Sequence, residues 1–315
     1  MPLVSIVILT YNRINVLIDI IQKLKQLTYK NVEIIIINNN SNDDTKVKLT
    51  KLFPYIKLIN LEKNIGVSAL NYGLKEAKGE YVLQLDDDSY PKDVDIIEKA
   101  IRHFETDCFL AVLAFRIENL RFNFCETREF DKTLNHFVGC GVMFRNSHLK
   151  KSSYYNPYIY IYYNEFDLTA KLLNLGYKIR YDNSLVVFHL QTPSGRVSDS
   201  ELKKSFAEFY KTPFRFYHNF LSRSVFLLNN FSLKFIVMYL PKLIIGNLII
   251  ALRFVYLKEF FLALFHIICY LRILFKDRNI INMNVQRLFG FGNIALIDRG
   301  FFDNFRKGKF TTWLK

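Results

Sequence analysis

Hydrophobic and polar positions follow two alternating periods along the first ninety residues. Unbroken apolar runs at Leu3 to Leu9, Val32 to Ile37 and Tyr81 to Leu85 predict buried strands. Apolar residues spaced 3.6 apart from Val16 to Leu27 predict an amphipathic helix. The same patterns predict a helix over Asp43 to Leu52, a strand near Ile56 to Leu61 and a helix over Val67 to Ala77. Strands and helices that alternate at these lengths predict an α/β fold with a doubly wound, mostly parallel sheet flanked by helices.

Three consecutive aspartates, Asp86, Asp87 and Asp88, follow the strand that ends at Leu85. An acidic triplet on its own is usually a solvated turn. This one comes after a helix that stops at Gly79 and after a buried strand. Parallel sheets bind ligands outside the carboxyl ends of their strands, and carboxylate oxygens suit Mg²⁺ or Mn²⁺. We therefore expect a divalent metal here, in contact with a phosphate.

Polar residues also follow the first two strands, Thr10 to Arg13 after the first and Asn38 to Asp43 after the second. Taken singly, such residues are explained by helix caps and turns. Three polar strand ends at one sheet edge instead predict a nucleotide-binding crevice. In it, the ring of Tyr11 would lie against the nucleobase, and the amides of Asn38 and Asn39 would bind the polar edge of that base. The first glycine is Gly66, which excludes a dinucleotide fingerprint or a phosphate loop after the first strand.

A second group of candidate residues lies in the middle of the chain. Gly139, Cys140 and Gly141 predict a loop that a ligand can approach closely. The segment Asn164 to Leu168 contains two acids and begins a predicted helix that ends at Gly176. Acids in a first helical turn also have a routine role, since they complement the helix dipole. A strand over Ser184 to Phe188 then ends at His189, a residue type that is usually structural at such a place.

Composition narrows the class of protein without choosing a function. The 43 Lys and Arg against 29 Asp and Glu give a net charge of +14, which favours phosphorylated ligands, nucleic acid or an anionic membrane. The four cysteines include no C-x-x-C pair, so we expect neither a zinc site nor disulfides. The chain opens with a strand rather than a secretory signal. These features predict a cytoplasmic protein.

From about Phe206 the sequence changes to long apolar runs broken by cations. The longest uncharged stretches, Leu243 to Leu252 and Phe260 to Leu271, are shorter than the roughly 18 residues of a spanning helix. Apolar helices with interleaved basic residues suit the surface of an anionic bilayer. Interfacial helices are the favoured interpretation, with a buried helical subdomain or a true membrane span as alternatives.

The ordered motifs resemble family 2 of the inverting glycosyltransferases, which have the GT-A nucleotide-sugar fold, and within it rhamnosyltransferase-like enzymes of bacterial polysaccharide biosynthesis. The resemblance covers about residues 3 to 190. It rests on V-S-I-V-I-L-T-Y-N-R at Val4 to Arg13, on Asn38 to Thr45, on the segment Asn64 to Gly79, on Leu85 to Asp88, on Asn164 to Leu168 and on His189. The Q-x-x-R-W motif of processive members is missing, since the only tryptophan is Trp313.

The resemblance implies a GT-A catalytic domain over residues 1–205. The apolar and basic composition predicts a helical, membrane-associating region over residues 206–315. The resemblance also implies a single-addition transfer from a UDP- or dTDP-linked sugar to a glycan or lipid-linked acceptor, with Mn²⁺ or Mg²⁺, on the inner face of the cell membrane. No nucleic-acid partner is expected. The implied site residues are Glu165 and Asp167 for catalysis; Thr10, Tyr11, Asn12, Arg13, Asn38, Asn39, Asn64, Asn71, Asp86 and Asp87 for the nucleotide sugar; Gly139, Cys140 and Gly141 for the acceptor; and Asp86, Asp88 and His189 for the metal.

The sequence departs from the family pattern at two positions. Asn38 stands where an Asp commonly reads the base, which leaves uridine and deoxythymidine donors open. Asn164 replaces the first acid of the E-D-x-D segment, so Glu165 aligns with the expected base while Asp167 stays an alternative. A catalytically silent GT-A fold and a polyanion-binding protein are the competing hypotheses. A nucleotidyltransferase is disfavoured because no glycine-rich basic loop follows the first strand.

Overall fold

A computed structural model describes residues 1–127, 136–191, 212–276 and 278–290, and every structural statement below refers to these residues. The chain divides into two compact units, Met1–Ser205 and Phe206–Lys315. Each unit is described by itself.

The first unit is built on one mixed sheet of nine strands. The strands are β1 (Val4–Thr10), β2 (Val32–Asn38), β3 (Lys57–Asn60), β4 (Tyr81–Asp86), β5 (Ser89–Pro91), β6 (Leu110–Asn119), β7 (Phe124–Cys125), β8 (Gly141–Arg145) and β9 (Lys178–His189). The helices are α1 (Ile14–Leu24), α2 (Thr45–Leu52), α3 (Leu70–Glu76), α4 (Ile96–Thr106), α5 (Asn146–Lys151) and α6 (Asn164–Asn174). The helix predicted from Val67 begins as a 3₁₀ turn, Gly66–Ala69, before α3.

The strand order is β3-β2-β1-β4-β8-β6-β9-β5, with β7 beside β6. Strands β1 to β4 pair in parallel, as predicted, whereas β8 runs antiparallel to both β4 and β6. Strand β9 is parallel to β6 and antiparallel to β5. Sheet direction therefore changes beside β4, and the three aspartates lie at the end of this strand, with Asp86 as its last residue.

Two apolar cores cover the two faces of the sheet. Ile6 and Ile8 point to the core shared with α1, and Val7 and Ile37 point to the core shared with α3. All four side chains are fully buried, and complete burial of such a side chain contributes roughly 1.5–3 kcal/mol. Burial on both faces explains why the strands are unbroken apolar runs rather than alternating ones.

Gly66 allows two distant segments to touch. Its φ is +68°, and a Cβ there would lie 2.0 Å from the carbonyl oxygen of Tyr160. Beside this contact the backbone N–H of Val67 donates to the same oxygen at 2.8 Å. The loop between β3 and α3 is thereby fixed against the segment that leads into α6.

The second unit is helical where it is described: α7 (Pro213–Asn230), α8 (Leu233–Phe254), α9 (Leu257–Lys276) and α10 (Met283–Gly290). Phe220 of α7 stacks on Phe260 of α9 with ring centroids 5.5 Å apart. The hydroxyl of Tyr217 lies 2.7 Å from Nδ1 of His266. Packing between α7 and α9 therefore holds aromatic as well as polar contacts.

Within the described ranges, α8 is long and apolar enough to cross a membrane, with a mean hydropathy of 2.1. Lys242 divides the uncharged run without ending α8, so the helix is longer than either uncharged stretch of the sequence. The membrane-spanning alternative stays a prediction. Core helices of soluble proteins pass the same test, so α8 by itself does not place the unit in a membrane.

Replacing Gly66 by alanine should destabilise the protein by about 3 kcal/mol or more, because strained φ and a clash with Tyr160 add together. Gly176→Ala is the matched control, since Gly176 has φ +81° but a Cβ there meets no atom within 4 Å. That control should lose only about 1–2 kcal/mol. Urea unfolding followed by circular dichroism measures both, and equal losses would contradict the importance of the Tyr160 contact.

Candidate active site

The aspartates at the end of β4 are largely buried and are held by groups that follow β1. Asp87 accepts hydrogen bonds from the hydroxyl of Thr10 at 2.9 Å and from the backbone N–H of Tyr11 at 3.3 Å. One guanidinium nitrogen of Arg13 lies 2.7 Å from Asp87 and 3.2 Å from Asp88. The β1 loop thus supplies donors and one cation to two carboxylates that are 3% and 1% exposed.

Negative charge in this cluster exceeds what its cationic neighbours compensate. Burial and the neighbouring Asp88 and Asp87 carboxylates raise the pKa of Asp86 to about 7, although His189 and Arg13 act in the opposite direction. Burial likewise raises the pKa of Asp87 despite its ion pair with Arg13. The site therefore favours a further positive charge.

His189 joins the cluster from the end of β9, because β5 pairs with β9 and sets His189 beside Ser89. Its Nε2 lies 3.4 Å from Oδ1 of Asp88, and its Nδ1 lies 2.8 Å from Oε1 of Glu126. Burial lowers the pKa of His189, but Cys140, Asp88 and Glu126 together raise it above the ordinary value. A histidine held through Nδ1 by a carboxylate presents Nε2 in a fixed direction.

Asp86, Cys140 and His189 form the one group of three metal-ligating side chains found among the described residues. Their ligand atoms lie within 4.8 Å of one another. The sequence predicted Asp88 in this set and Cys140 near the acceptor. Asp88 lies beside Arg13 and His189, and both assignments stay predictions. Burial raises the pKa of the Cys140 thiol to about 12. Carboxylate, imidazole and sulfur donors of this kind fit a divalent transition metal.

The ends of β1 and β2 are tied together by short polar side chains. Ser41 Oγ accepts from the backbone N–H of Asn12 at 3.0 Å, and Oδ1 of Asn12 accepts from that of Asn42 at 2.7 Å. Asn38 bonds Asn60 at 3.0 Å through its amide nitrogen. The structure thus brings the predicted nucleotide residues Thr10, Tyr11, Asn12, Arg13 and Asn38 to one sheet edge, beside Asp86 and Asp87.

The amides of the Asn64 to Gly79 motif serve mainly to brace loops. Asn64 Oδ1 accepts from Asn39 at 3.0 Å and from the hydroxyl of Tyr160 at 2.8 Å. Asn71 bonds both the N–H and the carbonyl of Tyr155, at 3.0 and 2.8 Å. These contacts assign Asn39, Asn64 and Asn71 a structural role, and nucleotide contact by them stays a prediction.

The two candidate bases on α6 lie in different environments. Asp167 is fully buried, and its carboxylate is 2.6 Å from the Nζ of Lys171, one turn along the helix. Glu165 keeps some solvent exposure, and its carboxylate accepts from the backbone of Gly139. Burial raises the pKa of Glu165, as suits a proton acceptor. The geometry favours Glu165 as the base and Asp167 as a structural ion pair.

One glycine of the predicted acceptor loop lies against Glu165, and the other packs in the core. Gly139 faces Glu165, and a Cβ there would lie 3.1 Å from the Glu165 Oε1 atom. Gly141 instead packs in the core, where a Cβ would lie 2.5 Å from Ile117. Sequence reasoning missed Glu126, which orients His189, because a single acid after a two-residue strand carries no recognisable signal.

Comparison with known proteins identifies the class. Residues 5–153 match the family model for glycosyl transferase family 2. The uncharacterized glycosyltransferase YwdF of Bacillus subtilis is 32% identical over 183 residues, which are 53% of this chain and 67% of that protein. The chain belongs to glycosyltransferase family 2.

This glycosyltransferase also resembles the Escherichia coli UDP-Glc:alpha-D-GlcNAc-diphosphoundecaprenol beta-1,3-glucosyltransferase WfaP, at 29% identity over 65% of this chain and 83% of that one. Relatives from Rickettsia species are matched over only 14 to 30% of their own length. The solved mannosyltransferase PcManGT of Pyrobaculum calidifontis, in complex with GDP-Man and Mn²⁺, has a TM-score of 0.52 at 16% identity, over 72% of this chain and 62% of that one. The predicted GT-A fold is confirmed.

Proposed function

We propose that this enzyme is an inverting, single-addition glycosyltransferase that moves a hexosyl group from a UDP- or dTDP-linked sugar to a hydroxyl of a lipid-linked glycan. The observation that carries the proposal is the cluster of Asp86, Asp87 and Asp88 at the end of β4, which Arg13 and His189 contact, in a chain whose α6 presents Glu165. We assign the pathway to polysaccharide biosynthesis at the cell envelope.

The donor set fits a divalent ion. Asp86 and His189 would hold Mn²⁺ or Mg²⁺, with Asp88 beside His189. The Cys140 sulfur lies within the same group and would suit Mn²⁺ better than Mg²⁺. The bound ion would neutralise the diphosphate leaving group, a contribution of several kcal/mol. The mannosyltransferase named above was solved with Mn²⁺. The raised pKa of Asp86 supports the same assignment, because a nearby cation would favour its charged form.

Glu165 is the group that takes the proton from the acceptor hydroxyl in this proposal. The N–H of Gly139 and the backbone of α6 orient its carboxylate. Inversion follows when the hydroxyl oxygen attacks the anomeric carbon from the face opposite the diphosphate, its proton passes to Glu165, and the nucleoside diphosphate departs. Asp167 stays bound to Lys171 throughout.

The acceptor assignment draws on the second unit and on WfaP, whose named acceptor is a diphosphoundecaprenol-linked sugar. The segment 233–276 holds six Lys or Arg and one acid. Apolar side chains are well exposed on both of its helices, including Val237 at 73%, Phe261 at 59% and Phe265 at 60%. Such surfaces suit the headgroup region of an anionic membrane, and we propose that the enzyme binds its inner face.

Titration calorimetry with UDP, dTDP, GDP and CDP, each with and without Mn²⁺, tests the donor assignment. We expect a pyrimidine diphosphate to bind in a Mn²⁺-dependent manner, and Asp86→Asn to weaken that binding at least about tenfold, or ~1.4 kcal/mol. Asp19→Asn, which removes an exposed carboxylate on α1, is the charge-matched control. Absence of nucleotide binding under every condition would favour the silent fold or the polyanion-binding hypothesis.

Glu165→Gln should lower turnover by about 10²- to 10⁴-fold and leave donor affinity within about twofold, because only proton transfer is lost. Transfer is measured from UDP-glucose to a lipid-linked GlcNAc diphosphate. In the wild type, the raised pKa of Glu165 means that activity falls on acidification at a higher pH than an ordinary glutamate would give.

Asp167→Asn is the matched comparison. It should lower the free energy of unfolding by about 3 kcal/mol, because the Lys171 ammonium is left buried without its counter-ion. A fully active Glu165→Gln enzyme together with a stable but inactive Asp167→Asn enzyme would reverse the two assignments.

Co-sedimentation with vesicles tests the membrane assignment. The whole protein should bind phosphatidylcholine vesicles containing phosphatidylglycerol more tightly than neutral ones, and Phe265→Ser should weaken binding about tenfold or more. Val47→Ser removes a side chain that is 68% exposed on α2 and serves as the control. Equal sedimentation with and without either vesicle would exclude the proposed surface.

A further inference from the structure

Gln84 of β4 and Tyr155 form a buried polar pair that none of the assigned roles uses. Both side chains are 1% exposed. The hydroxyl of Tyr155 donates to Oε1 of Gln84 at 2.9 Å, and Nε2 of Gln84 donates to the carbonyl oxygen of Gly139 at 2.9 Å. Burying these groups is favourable only while each keeps its partner.

The direction of this chain of hydrogen bonds is fixed by its far end. The Gly139 carbonyl can only accept, so the amide nitrogen of Gln84 must face it. The amide oxygen then faces Tyr155, whose hydroxyl must donate. Asn71 holds the backbone of Tyr155 on both its N–H and its carbonyl. The tyrosine hydroxyl is therefore aimed by the α3 segment and not by its own loop alone.

Gly139 connects this pair to α6. Its peptide accepts from Gln84 on the carbonyl side and donates to the carboxylate of Glu165 on the N–H side. A Cβ on Gly139 would lie 3.1 Å from both Gln84 Nε2 and Glu165 Oε1. The amide, the glycine and the carboxylate thus meet at one point with no room for a side chain.

We propose that Gln84 and Tyr155 are positioning residues that hold the Gly139 peptide so that its N–H orients the carboxylate of Glu165. The proposal rests on the role of Glu165 as the base. Neither residue touches the reacting atoms. Loss of either bond frees the Gly139 peptide to rotate, and the carboxylate loses its fixed donor, which misplaces the base relative to the acceptor hydroxyl.

The chain contains only 12 glycines, so selective ¹⁵N-glycine labelling of the whole protein gives a simple amide spectrum. The Gly139 resonance is assigned by its loss in Gly139→Ala. Glu165→Gln should move it upfield, because a charged acceptor is replaced by a neutral one. Tyr155→Phe and Gln84→Met should move it in the same direction, by roughly half as much or more.

Turnover of the same variants is measured with the donor and acceptor used for Glu165→Gln. We expect about a tenfold loss in kcat for Tyr155→Phe and for Gln84→Met, with donor affinity by calorimetry within about twofold of wild type. The double variant should lose little more than either single one, since both act through Gly139.

Tyr29→Phe is the matched control, because Tyr29 is 3% exposed and its hydroxyl also donates to a backbone carbonyl, that of Pro2. It should lower the melting temperature without changing kcat or the Gly139 resonance. An unmoved Gly139 resonance in Tyr155→Phe, or wild-type kcat in both positioning variants, would overturn the inference. A fully active Glu165→Gln enzyme would instead overturn the proposed function, whatever the Gly139 resonance shows.

Discussion

Three carboxylates in succession at the end of a buried strand are the constraint on which the rest of the site depends. Two unit charges 4 Å apart repel by about 4 kcal/mol at an effective dielectric constant of 20. Arg13 from the β1 loop and His189 from the end of β9 lie against these carboxylates and reduce the repulsion. These two cations reach the cluster only because β1 pairs with β4 and β5 pairs with β9. The strand order of the sheet therefore determines which cations stabilise the buried carboxylates.

Glu165 and Asp167 show how two acids on one helical turn acquire different chemistry. Lys171 lies one turn after Asp167 and neutralises it inside the core. Glu165 has backbone donors but no ion pair in the described structure, and burial raises its pKa. Asp167 is engaged by Lys171, whereas a carboxylate whose pKa is raised takes up a proton more readily than an ordinary glutamate. This difference in environment, and not the order of residues in the motif, separates the two roles.

Much of the fold followed from apolar periodicity, because strands buried on both faces are unbroken runs such as Val4 to Leu9. The polar strand ends were located for the same reason, since parallel strands end at a common edge. Apolar periodicity could not predict where β8 lies in the sheet. This strand is antiparallel to both β4 and β6 and brings Cys140 beside Asp86. The roles of Glu126 and Gln84 could not be predicted from the sequence either. Each depends on a distant partner: His189 lies 63 residues from Glu126, and Gly139 lies 55 residues from Gln84.

The motif from Asn64 to Gly79 illustrates why a matched motif does not fix the role of each residue in it. Its asparagines bind Tyr160 and Tyr155, and Gly66 admits the backbone of Tyr160. The segment that carries Tyr155 and Tyr160 leads into α6 through two tyrosines, Tyr162 and Tyr163, with φ of +65° and +61°. Each such conformation costs of order 1–3 kcal/mol and persists only where surrounding contacts enforce it. The motif supplies contacts to Tyr155 and Tyr160, so residues that family resemblance assigns to the nucleotide sugar also hold the segment that precedes α6.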